Sequence, residues 1–168
     1  MDARRESEPG AAKNRTKVER RSDRELVVTR TFGGPPRLVF EAWTRPEWIK
    51  RWWVPRSMDM TLLSCEMDVR VGGRYRFVFG PGIEFFGRYL EVTPHSRLVW
   101  TNEEGDGRGP VTTVTFEERD GGTLLVMHEL YPSKEALDAA GTGSADATHE
   151  TFAQLDELLV DIGTPASG

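Results

Sequence analysis

Residues 35–55, PPRLVFEAWTRPEWIKRWWVP, carry four of the five tryptophans in this 168-residue chain. Pro36 suits the first turn of a helix, and Trp43 falls on the apolar side of the residues that follow it. Thr44 and Glu47 have the spacing of a capping box, with Thr44 as the N-cap of a second helix. The stretch therefore predicts two short, consecutive helices that present a wide aromatic surface.

The sequence on both sides of these helices alternates in the manner of β-strands. Residues 24–32, RELVVTRTF, form one β-branched run before the helices. After them, RYRFVF at residues 74–79 places Tyr75, Phe77 and Phe79 on one face of a strand. Turn signals rich in glycine and proline divide the region up to residue 131 into an antiparallel meander of six strands.

A long amphipathic helix follows the strands. Residues 144–161, SADATHETFAQLDELLVD, place Phe152 and Leu155 on one apolar stripe. One sheet of seven antiparallel strands buries a face only if this helix covers it, so the predicted class is α+β. The expected architecture is a seven-stranded curved sheet that grips a long C-terminal helix, with two short helices after strand 1.

The ends of the chain lack the patterns of folded elements. Residues 1–23 mix Arg, Lys and Glu with Gly, Ala and Pro and show no apolar periodicity, so we expect a disordered tail. Residues 24–162 form a single predicted domain, of a size that is common for one hydrophobic core. Residues 163–168 are expected to form a frayed C-terminus.

Composition and motifs exclude several classes of function. The net charge of −5 argues against a general nucleic-acid binder, and no apolar run is long enough for a membrane span. One cysteine, Cys65, excludes an internal disulfide and fits a cytoplasmic chain. The histidines and Cys65 lack metal-ligand spacing, and no phosphate-binding or nucleophile motif is present. We therefore expect no metal and no cofactor, and the sequence leaves catalysis and the oligomeric state open.

Five stretches, in this order, give the chain a resemblance to a known family. They are PPRLVFEAWTRPEWIKRWWVP, DVRVGGRYRF, GRYLEVTPHSRLVWT, VTTVTFEERDGGT and LYPSKEALDAA with LDELL. Together they resemble bacterial homologues of the activator of heat shock protein 90 ATPase, a branch of the START/polyketide-cyclase-like (SRPBCC) superfamily with the helix-grip fold. The resemblance implies a hydrophobic cavity between sheet and C-terminal helix. Bacterial relatives often carry methionines where this chain has Ser144 and Thr148, which predicts a roomier or more polar cavity.

His128 and Glu129 are adjacent in the last predicted strand. Alternation sends their side chains to opposite faces of the sheet, so they do not form a catalytic dyad. The register implied by the resemblance places Met127 and Glu129 toward the long helix. Burial there raises the pKa of a carboxyl, which makes Glu129 a weak candidate for a general acid or an anchor for a polar ligand group. The alternative is a salt bridge with an arginine such as Arg76 or Arg88, or a position near the open end of the strand.

The sequence and the resemblance favour a binding module for a small apolar or aromatic molecule. Two alternatives stay open: an enzyme of the cyclase or hydrolase type that uses Glu129, and a protein-interaction module with a chaperone as partner. Of the tryptophans, we expect Trp43 with Trp48 or Trp52 to be core, and at least one of Trp52 and Trp53 to lie partly exposed at the cavity mouth. The alternative is that all four tryptophans of residues 35–55 are buried packing. The candidate ligand-binding residues are Trp52, Trp53, Tyr75, Phe77, Phe79, Tyr89, Trp100, Met127, Glu129 and Phe152.

Overall fold

The computed structural model describes residues 16–58, 61–80, 82–103, 109–140 and 143–163. Within these ranges the backbone forms one eight-stranded antiparallel sheet and four α-helices. No helix in this part of the chain is both long and apolar enough to cross a membrane.

Apart from the first strand, the elements follow one another in the order that the sequence predicts. They are β1 (Lys17–Arg20), β2 (Glu25–Phe32), α1 (Pro36–Thr44), α2 (Pro46–Trp52), β3 (Ser64–Met67), β4 (Arg74–Gly80), β5 (Ile83–Thr93), β6 (Arg97–Thr101), β7 (Val111–Arg119), β8 (Gly122–Leu130), α3 (Lys134–Ala140) and α4 (Gly143–Gly163). Across the sheet the strand order is β1-β2-β8-β7-β6-β5-β4-β3. The predicted α+β helix-grip class is confirmed, with eight strands instead of seven.

The additional strand lies at the edge of the sheet, inside the segment that was predicted to be a disordered tail. Lys17–Arg20 pairs with β2 so that Val18 lies opposite Val28. An edge strand is held mainly by backbone hydrogen bonds, so it forms even where the sequence shows no apolar periodicity. The prediction of a disordered tail over residues 1–23 is therefore wrong for residues 17–20. Residues 1–15 lie outside the described part of the chain.

The two short helices form where the sequence places them, but the predicted capping box is wrong. Thr44 is the last residue of α1, and its hydroxyl donates a hydrogen bond to the carbonyl of Phe40 over 2.9 Å. Arg45 is the N-cap of α2, with φ −113° and ψ 126°. Because a residue before proline disfavours the helical region, Pro46 fixes the boundary at Arg45.

The main hydrophobic core lies between one face of the sheet and the helices α1, α2 and α4. Trp43 on α1, Trp52 on α2 and Phe152 on α4 meet there as fully buried side chains. Arg30 on β2 also points into this layer, where its Nη2 donates to Oδ2 of Asp156 on α4 over 2.6 Å. Helix α4 is thus fixed to the sheet by aromatic packing and by one largely buried ion pair.

Candidate functional site

A cavity of about 480 Å³ lies between the sheet, the end of α2 and helix α4. Its apolar lining residues are Trp43, Trp52, Trp53, Val54, Pro55, Met58, Phe79, Phe85, Trp100, Pro110, Met127 and Phe152. Its polar lining residues are Asn102, Thr112, Glu129, Tyr131, Thr148 and Thr151. The space is therefore an apolar chamber with a limited set of polar groups, which is the usual character of a small-molecule pocket.

Strand pairing places several of these side chains in one row across the sheet. Trp100 on β6 lies opposite Thr112 on β7, and Thr112 lies opposite Glu129 on β8. Residues directly opposite each other in antiparallel strands point to the same face. Met127, two residues before Glu129, shares that face and is also buried. The antiparallel register therefore turns residues that are far apart in sequence into one wall of the cavity.

The tryptophans of α1 and α2 divide into core and cavity wall. The rings of Trp43 and Trp52 lie 4.8 Å apart and pack 6.1 and 6.2 Å from Phe152. Trp52 also donates from Nε1 to the carbonyl of Ala42 over 2.9 Å. Trp53 is half-buried and lines the cavity. This confirms the expected split, in which Trp43 and Trp52 anchor the helices and Trp53 stays partly exposed beside the cavity.

A polar network occupies part of the cavity wall. The amide of Asn102 donates to the carbonyl of Pro110 over 2.7 Å and to Oγ1 of Thr112 over 2.9 Å. The hydroxyl of Tyr131 donates to Oε1 of Glu129 over 3.3 Å. Thr112 lies opposite Glu129 in the strand pairing, and its hydroxyl favours the ionised form of that carboxyl and so lowers its pKa. The network therefore converges on Glu129 as its acceptor.

The structure places Glu129 on the cavity side of β8, as the predicted register requires. His128 lies on the other face, where its Nε2 is 2.9 Å from Oε2 of Glu25. Glu129 is surrounded by protein atoms yet keeps some accessible surface, because its side chain borders the cavity. Burial raises the pKa of Glu129, and hydrogen bonds from Tyr131 and Thr112, with the nearby His128, only partly offset that rise.

The alternative role, a salt bridge between Glu129 and an arginine, finds no support among the described residues. Arg76 pairs with Glu84 over 2.8 Å, and Arg88 pairs with Glu103 over 2.9 Å. Within the described residues, no lysine, arginine or histidine forms an ion pair with Glu129. Its carboxyl group is thus available to the cavity.

Glu129→Gln should make the stability of the protein less dependent on pH. Because burial raises the pKa of Glu129 above its ordinary 4.5, the folded protein holds this proton more tightly than the unfolded chain. Its contribution to stability is therefore complete below pH 4.5 and is lost as the pH rises through the raised pKa. Glutamine does not titrate, so the stability of the variant relative to wild type should increase with pH across this window. Urea unfolding of both proteins from about pH 4 to 8 measures this difference. A difference that is constant with pH would contradict the raised pKa.

Seven of the ten predicted binding residues line the large cavity, namely Trp52, Trp53, Phe79, Trp100, Met127, Glu129 and Phe152. The other three, Tyr75, Phe77 and Tyr89, lie around a separate space of about 20 Å³. That volume holds about one water molecule, so these three side chains act as core packing. Tyr75 uses its hydroxyl to donate to the carbonyl of Thr101 over 2.7 Å. Their predicted placement in the cavity was wrong. Alternation determines on which face of the sheet a side chain lies, but it does not determine which part of that face the helices leave uncovered.

Several cavity residues were missing from the sequence prediction. Asn102 and Thr112 depend on strand pairing, which the sequence alone does not provide. Tyr131 carried a usable signal, since it lies two residues after Glu129 and alternation places both on one face. Thr148 was suggested by the resemblance and does line the cavity, whereas the side chain of Ser144 lies outside the described part of the structure.

The site offers no ready metal ligands or reactive thiol within the described ranges. No group of three or more His, Cys, Asp or Glu side chains there is arranged to hold a metal ion. Cys65 on β3 is half-buried, and this burial raises the pKa of its thiol to about 11. The thiol is therefore protonated at neutral pH and is a poor nucleophile. The chemistry of the cavity rests on Glu129 and its hydrogen-bond donors.

Comparison with known proteins identifies the family but not a ligand. A protein from Rhodobacter sphaeroides superimposes with a TM-score of 0.81 at 27% identity, over 88% of this chain and 99% of its own. A protein from Nitrosomonas europaea superimposes with a TM-score of 0.75 at 24% identity, over 84% of this chain and 97% of its own. A protein from Mycobacterium smegmatis superimposes with a TM-score of 0.75 at 23% identity, over 88% of this chain and 99% of its own. No curated protein matches the chain. The family model described as activator of Hsp90 ATPase homolog 1-like protein matches residues 34–160, and the chain therefore belongs to that family.

Proposed function

We propose that this protein binds a small apolar or aromatic molecule in the large cavity beneath helix α4. The observation that carries the proposal is the cavity itself, whose volume of about 480 Å³ lies within the range of ligand pockets. The family generally binds small hydrophobic ligands. Burial of an apolar ligand against these walls removes hydrophobic surface from water, which is the main source of affinity in such sites.

Aromatic side chains give the cavity its preference for flat, apolar ligands. Trp53, Phe79, Phe85 and Trp100 all border it; Trp53 directly follows α2, and the other three come from three different strands. The rings of Phe79 and Phe85 meet edge to face, 5.1 Å apart. Aromatic pairs of this kind gain energy beyond their buried area, and an aromatic ligand can join the same packing.

The neutral fluorophore N-phenyl-1-naphthylamine should bind to this cavity. We expect an increase in its fluorescence, accompanied by quenching of tryptophan emission, because Trp53 and Trp100 border the site. Binding to the folded state alone also raises thermal stability, by about 2.7 kcal/mol at a ligand concentration of a hundred times Kd. Thr148→Phe should weaken this binding, because it places a ring at a position that lines the cavity.

A matched variant on the same helix controls for the added ring. Val160 is 68% exposed and does not line the cavity, so Val160→Phe should leave the affinity of the fluorophore unchanged. Equal weakening by both substitutions, or absence of binding to the wild-type protein, would refute the assignment of the ligand to this cavity.

A further inference from the structure

We infer that the ligand of the large cavity is a hydrophobic cation, an aromatic amine whose ammonium group pairs with the carboxylate of Glu129. This inference rests on the proposed function and specifies the chemical class of the ligand. It follows from three features of the cavity: the direction of its hydrogen bonds, the charges along its walls and the nature of its rings.

The hydrogen bonds around Glu129 run toward its carboxylate. Asn102 donates from its amide to Oγ1 of Thr112, which leaves the proton of the Thr112 hydroxyl free to point at Glu129. Tyr131 donates to Oε1 of the same carboxylate over 3.3 Å. A hydroxyl is both a donor and an acceptor, so both neighbours can donate to the carboxylate when Glu129 is ionised. The network therefore offers donors to the anionic form of Glu129, which offsets part of the unfavourable burial of its charge.

The described part of the cavity wall supplies no positive charge to match that anion. Among the described residues, the charged side chains that line the cavity consist of Glu129 alone. His128, the neighbour along the chain, pairs with Glu25 on the opposite face. A buried carboxylate without a counter-ion is unfavourable, and the raised pKa of Glu129 reflects this. A ligand that brings its own cation removes this unfavourable burial.

The aromatic walls suit the same class of ligand. Faces of tryptophan, tyrosine and phenylalanine attract cations, most strongly where water is excluded. Trp53, Phe79 and Trp100 border the cavity together with Glu129. In this cavity the ring of an aromatic amine packs against apolar side chains. Its ammonium group contacts both a carboxylate and aromatic faces. An anionic ligand of the same shape meets repulsion from Glu129.

Three naphthalene compounds of nearly equal shape test the inference by calorimetry at neutral pH. They are 1-naphthylmethylamine, which is protonated, 1-naphthylmethanol, which is neutral, and 1-naphthoate, which is an anion. We expect the amine to bind at least about tenfold more tightly than the alcohol, as a charged hydrogen-bonded pair implies. The naphthoate should bind more weakly than either compound.

Glu129→Gln should abolish the preference for the amine while keeping the affinity for the alcohol within about threefold. Retained binding of the alcohol shows that the variant is folded and that its cavity is intact. Glu118→Gln makes the same chemical change at an exposed position of β7 and should keep the full preference.

The outcomes separate the two proposals. Binding of the alcohol with no preference for the amine would overturn the inference but leave the cavity as a ligand site. Failure of all three compounds to bind would overturn the proposed function itself.

Discussion

Trp52→Ala should lower the free energy of unfolding by about 3–5 kcal/mol, which is the usual effect of truncating a buried tryptophan. Trp52 is 1% exposed, contacts the rings of Trp43 and Phe152 and donates a hydrogen bond to the carbonyl of Ala42. Alanine removes the packing that joins α2 to α4 and leaves that carbonyl without its donor. Since single domains are typically stable by about 5–15 kcal/mol, much of the stability depends on this one side chain. Urea unfolding of the purified variant measures the loss.

Trp48→Ala is the matched control, because it makes the same substitution on the same helix. Trp48 is half-buried, and its Nε1 donates to the exposed carboxylate of Glu47 over 3.2 Å. We expect a clearly smaller loss of stability at this position. If the two variants lose the same amount, Trp52 is not the anchor that its burial indicates.

Asp156→Ala should destabilise the protein by about 3 kcal/mol, because it leaves a buried arginine without its counter-ion. The Arg30 side chain is 9% exposed and reaches Asp156 over 2.6 Å, while its other terminal nitrogen donates to Oγ1 of Thr16 over 2.7 Å. No other carboxylate among the described residues forms an ion pair with Arg30. The expected result is a lower midpoint of urea unfolding with little change in the slope.

Helix α4 provides a close control for this ion pair. Asp161 also lies 2.6 Å from an arginine, Arg51, but both of these side chains are more than half exposed. Because exposed ion pairs contribute little, Asp161→Ala should leave the midpoint almost unchanged. The double substitution Arg30→Met with Asp156→Leu should recover most of the stability, since it removes both charges together. Similar effects of the two alanine variants would show that burial does not strengthen the pair.

Local patterns predicted most of the fold. The alternation in β4 places Tyr75, Phe77 and Phe79 on one buried face, as the structure shows. The stripe on the last helix brings Phe152 and Leu155 into the core in the same way. Such patterns can be recognised in the sequence because the direction of the side chains repeats every two residues in a strand and every 3.6 residues in a helix. The spacing of apolar residues therefore indicates which side of the element is buried.

Features that depend on pairing between distant segments were not predictable. Lys17–Arg20 forms a strand only because the edge of β2 is available, and its own sequence shows little sign of this. Thr112 joins the cavity because β7 pairs with β8 in one particular register. Tyr89 faces the sheet interior as expected, yet it lies beside the smaller cavity. In each case the deciding information is the position of a second segment, which local periodicity does not contain.

The alternation of side chains along β8 separates the cavity wall of this domain from its outer surface. Met127 borders the cavity, while its neighbour His128 contacts Glu25 on the opposite face. Substitutions at Met127 or at Trp100 on β6 thus alter the shape of the cavity and leave the outer face of the sheet unchanged. Engineering or natural variation can therefore change the inner and the outer face of such a sheet independently, although adjacent residues of the same strand form the two faces.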